Sequence, residues 1–490
     1  MRRSAHVLFR WLRRAFATLL VLLAIFVLYR AWDAKRRPFL KAWHRFVPPS
    51  EVRAADLTDR FTIEDYLRRE DRVFREVDEN VSQRLDAEDR TPTNRYFPES
   101  LTSPRRFARD WNRTFETAPD GGEVRGGALL LHGLTDSPYS MRRVAEILKS
   151  EGIYCLGLRM PGHGTVPGAL TKAVWEDWSA ATRVGVRHVR RRIGEGKPLY
   201  LVGYSNGGAL SVKYALDALE DANLPRVDRV VLLSPMIGVT PAAGLAKYIG
   251  GLAVIPYFEK ARWLDVVPEY NPFKYNSFPV NAGLQTSRLT TAIQTQIERL
   301  GKAGALDKLP PILAFQSLID STIVAGAVKE RLFDALPSNG SELVLFDVNH
   351  GSLARAFIDP SVGELMTRLT SGGNRRYALT VIANAGPDTL DVVERTTPAG
   401  SASPAVRPLT LAWPAQVYSV GHVAIPFPAD DPLYGGTPDP GQGGGPIHLG
   451  VVAPRGENGV LTVSPGAFLR ISWNPFFPYL EERVRRWVAR

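Results

Sequence analysis

Gly203-Tyr204-Ser205-Asn206-Gly207 sets a serine between glycines at minus two and plus two. A serine hydroxyl is a poor nucleophile until a base takes its proton, and that base needs an acid to orient it. The pentapeptide directly follows an apolar run, Pro198-Leu-Tyr-Leu-Val, and precedes a helix-forming stretch, Gly208–Leu219. A strand, a sharp turn and a helix in that order expose the serine at a strand end, and the glycines relieve crowding around it. Ser205 is the candidate nucleophile. In chains with this strand–turn–helix serine the acid and then the base follow it. Asp320, in Leu318-Ile319-Asp320-Ser321-Thr322, comes after the apolar run Ile312-Leu-Ala-Phe-Gln and is the candidate acid. A tetrahedral oxyanion needs backbone N–H donors. The residue after the nucleophile, Asn206, supplies one, and Leu134 in the loop Leu131-His132-Gly133-Leu134-Thr135-Asp136-Ser137-Pro138 supplies the other. His132 is read as a structural member of that loop.

The base is one of the histidines after Asp320: His350, His422 or His448. His350 follows a strand-like run in Leu343-Val-Leu-Phe-Asp-Val-Asn-His. His422 lies in Val417-Tyr-Ser-Val-Gly-His-Val, and the chain then closes on an amphipathic helix, Pro478–Val488. His448, after the glycine-rich run 441–446, reads as a surface or strand histidine. That run fits neither phosphate-loop motif.

These residues need a scaffold. Ala128–Leu131, Ile153–Leu158, Leu199–Tyr204, Val227–Leu233 and Ile312–Gln316 are short apolar runs, as expected of strands covered on both faces. Helical stretches at 140–150, 176–193 and 208–220 alternate with the early ones. The pattern predicts an α/β fold with a mainly parallel sheet. Thr62-Ile63-Glu64-Asp65 resembles a capping box, and Ile63, Leu67, Phe74, Val77, Val81 and Leu85 recur at helical spacing behind it. Residues 238–308, rich in aromatics and proline, interrupt the alternation and read as a cap or lid over the sheet. Strand candidates follow at 377–385 and 409–420.

The chain resembles the α/β-hydrolases, in the branch of monoacylglycerol lipases, carboxylesterases and related serine peptidases. The matching pieces are Leu131-His132-Gly133-Leu134-Thr135, Arg159-Met160-Pro161-Gly162-His163-Gly164, Trp175-Glu176-Asp177-Trp178, the Ser205 pentapeptide and Ser317-Leu318-Ile319-Asp320. They run in family order over roughly 125–350. The resemblance implies a serine esterase or lipase mechanism, with a Ser-His-Asp triad, an acyl-enzyme and no metal or organic cofactor. It also favours His422, because Ser419-Val-Gly-His-Val is similar to the family's histidine loop; His350 stays as the alternative base. On that reading 351–415 is an insertion, and 416–421 is the last strand. The runner-up functions are a peptidase or amidase with the same residues and an inactive hydrolase fold acting as a binding protein.

Composition bounds the rest. The 490-residue chain is 44% hydrophobic and 23% charged, which excludes a disordered chain and a multi-span membrane protein. One cysteine, Cys155, excludes an internal disulfide and a cysteine zinc site. Of the net charge of +11, most sits at the N-terminus: residues 1–45 hold 11 Lys/Arg and one acid, and the remainder holds 50 Lys/Arg against 49 Asp/Glu. The basicity is thus a local feature and argues against a nucleic-acid partner. It brackets an uncharged run, Ala15–Tyr29, flanked by Trp11 and Trp32, with Arg13, Arg14 and Arg30 able to reach the headgroups. We read 1–14 as a basic tail, 15–31 as a single transmembrane anchor and 32–93 as a helical connector. The hydrolase core follows at 94–237 and 309–350, and 416–490 carries the histidine loop and closing helix. The expected location is a bacterial inner membrane with the body in the periplasm, and the expected substrate a small-molecule or lipid ester.

Overall fold

The structure, a computed structural model, describes residues 38–238, 256–320, 325–351, 358–371, 374–450 and 470–489, together with isolated residues of 11–25, 355–356 and 466. In chain order the strands are β1 (Phe115–Thr117), β2 (Gly126–Leu131), β3 (Ile153–Leu158), β4 (Leu199–Tyr204), β5 (Arg229–Leu233), β6 (Trp263–Asp265), β7 (Phe278–Pro279), β8 (Ile312–Ser317), β9 (Glu342–Phe346), β10 (Ala378–Asn384), β11 (Asp391–Thr397) and β12 (Ala405–Ala412). The main helices are α1 (Ile63–Asn80), α2 (Arg142–Ser150), α3 (Trp175–Ile193), α4 (Asn206–Glu220), α5 (Val280–Lys302), α6 (Ala325–Arg331), α7 (Ser361–Thr370) and α8 (Phe477–Ala489).

All strands except β6 and β7 form one sheet of order β1-β3-β2-β4-β5-β8-β9-β10-β11-β12. From β3 to β10 neighbours run parallel; β1, β11 and β12 pair antiparallel. The apolar runs are buried along their whole length because both faces are covered. Leu129, Leu131 and Leu201 pack on one face with α3, α4 and α5. Ala128, Leu130, Val202 and Tyr204 pack on the other, with α2 and α8. Strand alternation thus divides each β-strand between two cores.

Three expectations change. First, the 351–415 segment is more than an insertion ahead of the last strand: β10 pairs parallel with β9, and β11 and β12 extend the sheet as an antiparallel hairpin. Second, 416–421 is not a strand, and the strand candidate at 409–420 shrinks to the end of β12; the sheet position beside β9 is already taken by β10, so the histidine loop has no edge to join. Third, the 238–308 segment is only partly a cap. Its α5 lies in the core, burying Leu289, Ile293 and Ile297 beside α4, while residues 239–255 lie outside the described residues.

The connector is fastened to the core. Thr62 Oγ1 accepts the Asp65 N–H at 3.2 Å and Asp65 Oδ2 accepts the Thr62 N–H at 2.9 Å, so the capping box forms and starts α1. Arg159, at the end of β3, is fully enclosed between two acids from the connector. It binds Glu51 through both terminal nitrogens, at 2.9 and 3.0 Å, and Glu70 at 3.1 Å. Glu70 also accepts the Thr114 N–H and hydroxyl. Further upstream Trp43 stacks on Tyr96 at 5.3 Å, and His44 Nε2 meets Ser277 Oγ at 3.0 Å. The folded body therefore reaches back to about residue 38. The anchor expected at 15–31 falls largely outside the described residues, and among the described residues no helix is long and apolar enough to cross a membrane.

Candidate active site

Ser205 stands at the junction of β4 and α4 with φ of 54° and ψ of −115°. That left-handed region is costly for a serine, and the surroundings hold it there. The Ser205 N–H donates to Leu233 O at 2.9 Å and its carbonyl accepts the Met236 N–H at 3.0 Å. Both flanking glycines are obligatory. A Cβ on Gly203 would sit 2.3 Å from Gly207 O, and one on Gly207 would sit 2.0 Å from Leu131 O. The pentapeptide is thus wedged against the loop after β2. The Leu134 and Asn206 backbone N–H groups donate to no acceptor among the described residues, which leaves both available to an oxyanion. His132 is structural as read: its Nε2 accepts the Met160 N–H at 3.0 Å and its Nδ1 donates to Gly133 O at 2.9 Å.

Asp320 follows β8, and its side chain is wholly buried. His422 Nδ1 donates to Asp320 Oδ2 at 2.8 Å, across 102 residues of sequence. Gln316 Nε2 donates to the same oxygen at 3.0 Å. With Nδ1 as the donor, the neutral ring keeps Nε2 as a proton acceptor. Tyr204 adjoins the pair: its ring lies 5.4 Å from the His422 ring, and its hydroxyl donates to His422 O at 3.4 Å. Among the described residues Ser205 Oγ and His422 Nε2 are not hydrogen-bonded to each other.

His350 takes a different course. Its side chain is about half exposed, its Nε2 is 3.6 Å from Asp347 Oδ2, and that carboxylate raises its affinity for a proton. His448 Nδ1 donates to Pro432 O at 2.7 Å. Asp320 is joined to His422 and to neither of these.

Several positioning residues escaped the sequence reading. Asn349, fully buried, holds the histidine loop in place of a strand: its N–H donates to Tyr418 O and its Nδ2 to Val417 O, each at 2.8 Å. Asn384, ending β10, donates to Asn349 Oδ1 at 3.1 Å and accepts the His350 N–H at 2.9 Å. Asp431 then ties the chain beyond His422 to α2, accepting Tyr139 Oη at 2.8 Å and pairing with Arg142 at 3.1 Å. The adjacency of Asn349 to His350 was visible in sequence, but its reach to residues 417–418 was not.

The family model described as serine aminopeptidase, S33 (Hydrolase_4), matches residues 122–349. This stretch belongs to the α/β-hydrolases. Within them it falls in the serine-hydrolase branch of lipases and esterases. A thermostable monoacylglycerol lipase of Bacillus sp. (strain H-257) is 25% identical over 224 residues, covering 44% of this chain and 79% of that one. Among solved structures, the Paleococcus ferrophilus monoacylglycerol lipase is 20% identical, with a TM-score of 0.36 over 52% of this chain and 96% of that one. A soluble variant of the Saccharomyces cerevisiae monoglyceride lipase is 16% identical, with a TM-score of 0.37 over 47% and 81%. The family match stops at residue 349, so His422 lies beyond it.

Proposed function

We propose that the protein is a membrane-anchored serine hydrolase that cleaves carboxylic esters, with lipid monoesters as the substrate type. Ser205 attacks the ester carbonyl as His422 Nε2 takes its proton. Asp320 fixes the imidazole tautomer and stabilises the imidazolium. The oxyanion is received by the Leu134 and Asn206 N–H groups. His422 then returns the proton to the leaving alcohol and an acyl-enzyme remains; water, deprotonated by the same base, attacks the acyl carbonyl, and Ser205 leaves with that proton as the acid departs. The observation that carries this reading is the 2.8 Å bond between Asp320 and His422 beside a serine in a nucleophile's backbone conformation.

The anchor is part of the proposal. Trp11, Phe16, Leu20, Val21 and Ile25 are exposed, and each is helical. A row of exposed apolar helix residues between basic flanks is well suited to lipid. It would hold the body in the periplasm of a bacterium.

The description of the matching family model favours a second reading, a peptidase or amidase using the same residues. Two measurements separate the possibilities. A fluorophosphonate probe should label the wild-type chain and leave Ser205→Ala unlabelled; a wild-type chain that stays unlabelled would point to a binding protein. Paired p-nitrophenyl esters and p-nitroanilides of one acyl group should show turnover of the esters, whereas faster release from the anilides would favour the amidase.

A further inference from the structure

Beside the Asp320–His422 pair lies a cavity of about 200 Å³ that the mechanism above does not use. Tyr204 and Val423, the chain neighbours of Ser205 and His422, form part of its wall. Tyr270, Phe427, Tyr434 and Leu449 make the apolar part of the wall, and set into it are Asp136, Asn271, Lys274, Asn276, Arg470 and Ser472. Lys274 comes from the loop between β6 and β7, which is fixed over the strand ends by the Tyr275 N–H donating to Thr135 O at 2.7 Å. Among the described residues its ammonium makes no hydrogen bond or ion pair. Asp136 is 5% exposed, and its Oδ2 is buried with no hydrogen-bond partner.

Leaving a carboxylate oxygen buried without a partner, beside an ammonium that no group among the described residues accepts from, is costly unless a ligand completes them. An acyl chain would make that cost worse, because it would strip water from Lys274 without replacing it. A neutral glyceryl group could donate to Asp136 and accept from Lys274, but it would leave the excess positive charge uncompensated. Lys274 and Arg470 against Asp136 leave an excess of one positive charge. Burial pushes the Lys274 ammonium down and the nearby Arg470 adds to this, while Asp136 opposes it. A bound anion would act with Asp136.

We propose that this cavity receives an anionic group, phosphate or carboxylate, carried on the alcohol portion of the substrate. Lys274 and Arg470 hold the anion through charge-assisted hydrogen bonds, and Asp136 Oδ2 accepts from an adjacent hydroxyl or ammonium. The proposal rests on the ester-hydrolase reading and deepens it: the preferred substrates are acyl esters of acidic alcohols rather than neutral monoacylglycerols.

The test compares three esters of one acyl chain: decanoylglycerol, decanoylglycerol 3-phosphate and the decanoyl ester of glyceric acid. Wild-type kcat/KM should favour at least one anionic ester by about tenfold, and the better of the two tells phosphate from carboxylate. Lys274→Met should collapse that ratio toward one and Lys274→Arg should keep most of it. A ratio, read within one variant, is insensitive to partial misfolding. Equal rates on all three esters, or a ratio unmoved by Lys274→Met, would overturn the subsite and leave the esterase reading standing. If no ester is turned over, p-nitrophenyl butyrate included, that reading fails first. Calorimetry with glycerol 3-phosphate then decides the cavity alone: binding lost in Lys274→Met supports it, and no heat from the wild type at millimolar ligand overturns it.

Discussion

Ser205, Asp320 and His422 make separable demands. Ser205→Ala should lower ester hydrolysis by roughly 10³-fold or more with the fold retained, since triad members act as a unit. Near-native turnover by a folded Ala variant would end the proposed mechanism. His422→Gln should cost about as much and His350→Gln little, because Asp320 bonds to His422 while His350 leans on Asp347. A reversed ranking in kcat/KM would move the base to His350. Ser205 and Asp320 were legible in sequence because each follows an apolar strand directly, so local pattern fixes its place. The histidine was not legible in that way. Two candidates sat in similar loops: resemblance favoured His422, and a contact spanning 102 residues joins that histidine to Asp320. Gln316 was hidden for the same kind of reason: a buried strand glutamine has no local signature until its partner is known.

Strand-by-strand alternation revealed the core from β2 to β8, because fully buried strands between amphipathic helices leave a strong pattern. The C-terminal extension was misread because two segments, 378–384 and 416–421, competed for the place beside β9, and sequence pattern does not rank competitors for one sheet edge. β10 won, and Asn349 does for the histidine loop what ladder hydrogen bonds do for a strand. Asn349→Ala should therefore remove the side-chain hold on Val417 while keeping the backbone bond to Tyr418, and lower kcat by roughly 10- to 100-fold, with a smaller effect on KM and no change in the pH profile. Asn349→Asp should recover none of the loss, because a carboxylate oxygen cannot donate to Val417 O. An Ala variant with wild-type kcat would show that the loop holds itself. Gly207→Ala probes the same junction from the other side. A methyl 2.0 Å from Leu131 O forces β2 and α4 apart, and urea unfolding should register a loss of roughly 1–3 kcal/mol.

The whole molecule depends on its N-terminal portion more than its sequence suggested. A cut after residue 46 falls inside the folded body, because Trp43 belongs to a buried cluster. It would remove Trp43 from Tyr96 and His44 from Ser277. Deleting residues 1–37 should yield an active, well-folded hydrolase, and deleting 1–46 should lower its melting temperature; equal melting of the two would make the Trp43 contacts dispensable. Acid should also test the interior. His163 is fully buried, and burial pushes it down to about 4. The unfolded chain then binds a proton that the folded chain refuses, so this histidine costs stability as pH falls from about 6.5 toward 4. Between pH 7 and 5 the wild type should lose roughly 2 kcal/mol more than His163→Gln. The comparison with the variant is needed because Asp136, raised to about 6 by burial, pulls the other way over part of that window. Equal slopes in urea titrations would mean that His163 is protonated in the folded state.

The placement of His422 behind three added strands also sets a clock on biosynthesis. Ser205, Asp320 and the strands that carry them leave the ribosome first, and the base follows 102 residues after the acid. At about 5–20 residues per second that interval is roughly 5–20 s. On the proposed mechanism, a nascent chain during that interval has a nucleophile without a base. It can travel to its destination and begin to fold while unable to attack the esters around it, and a message broken anywhere before codon 422 yields an inert product.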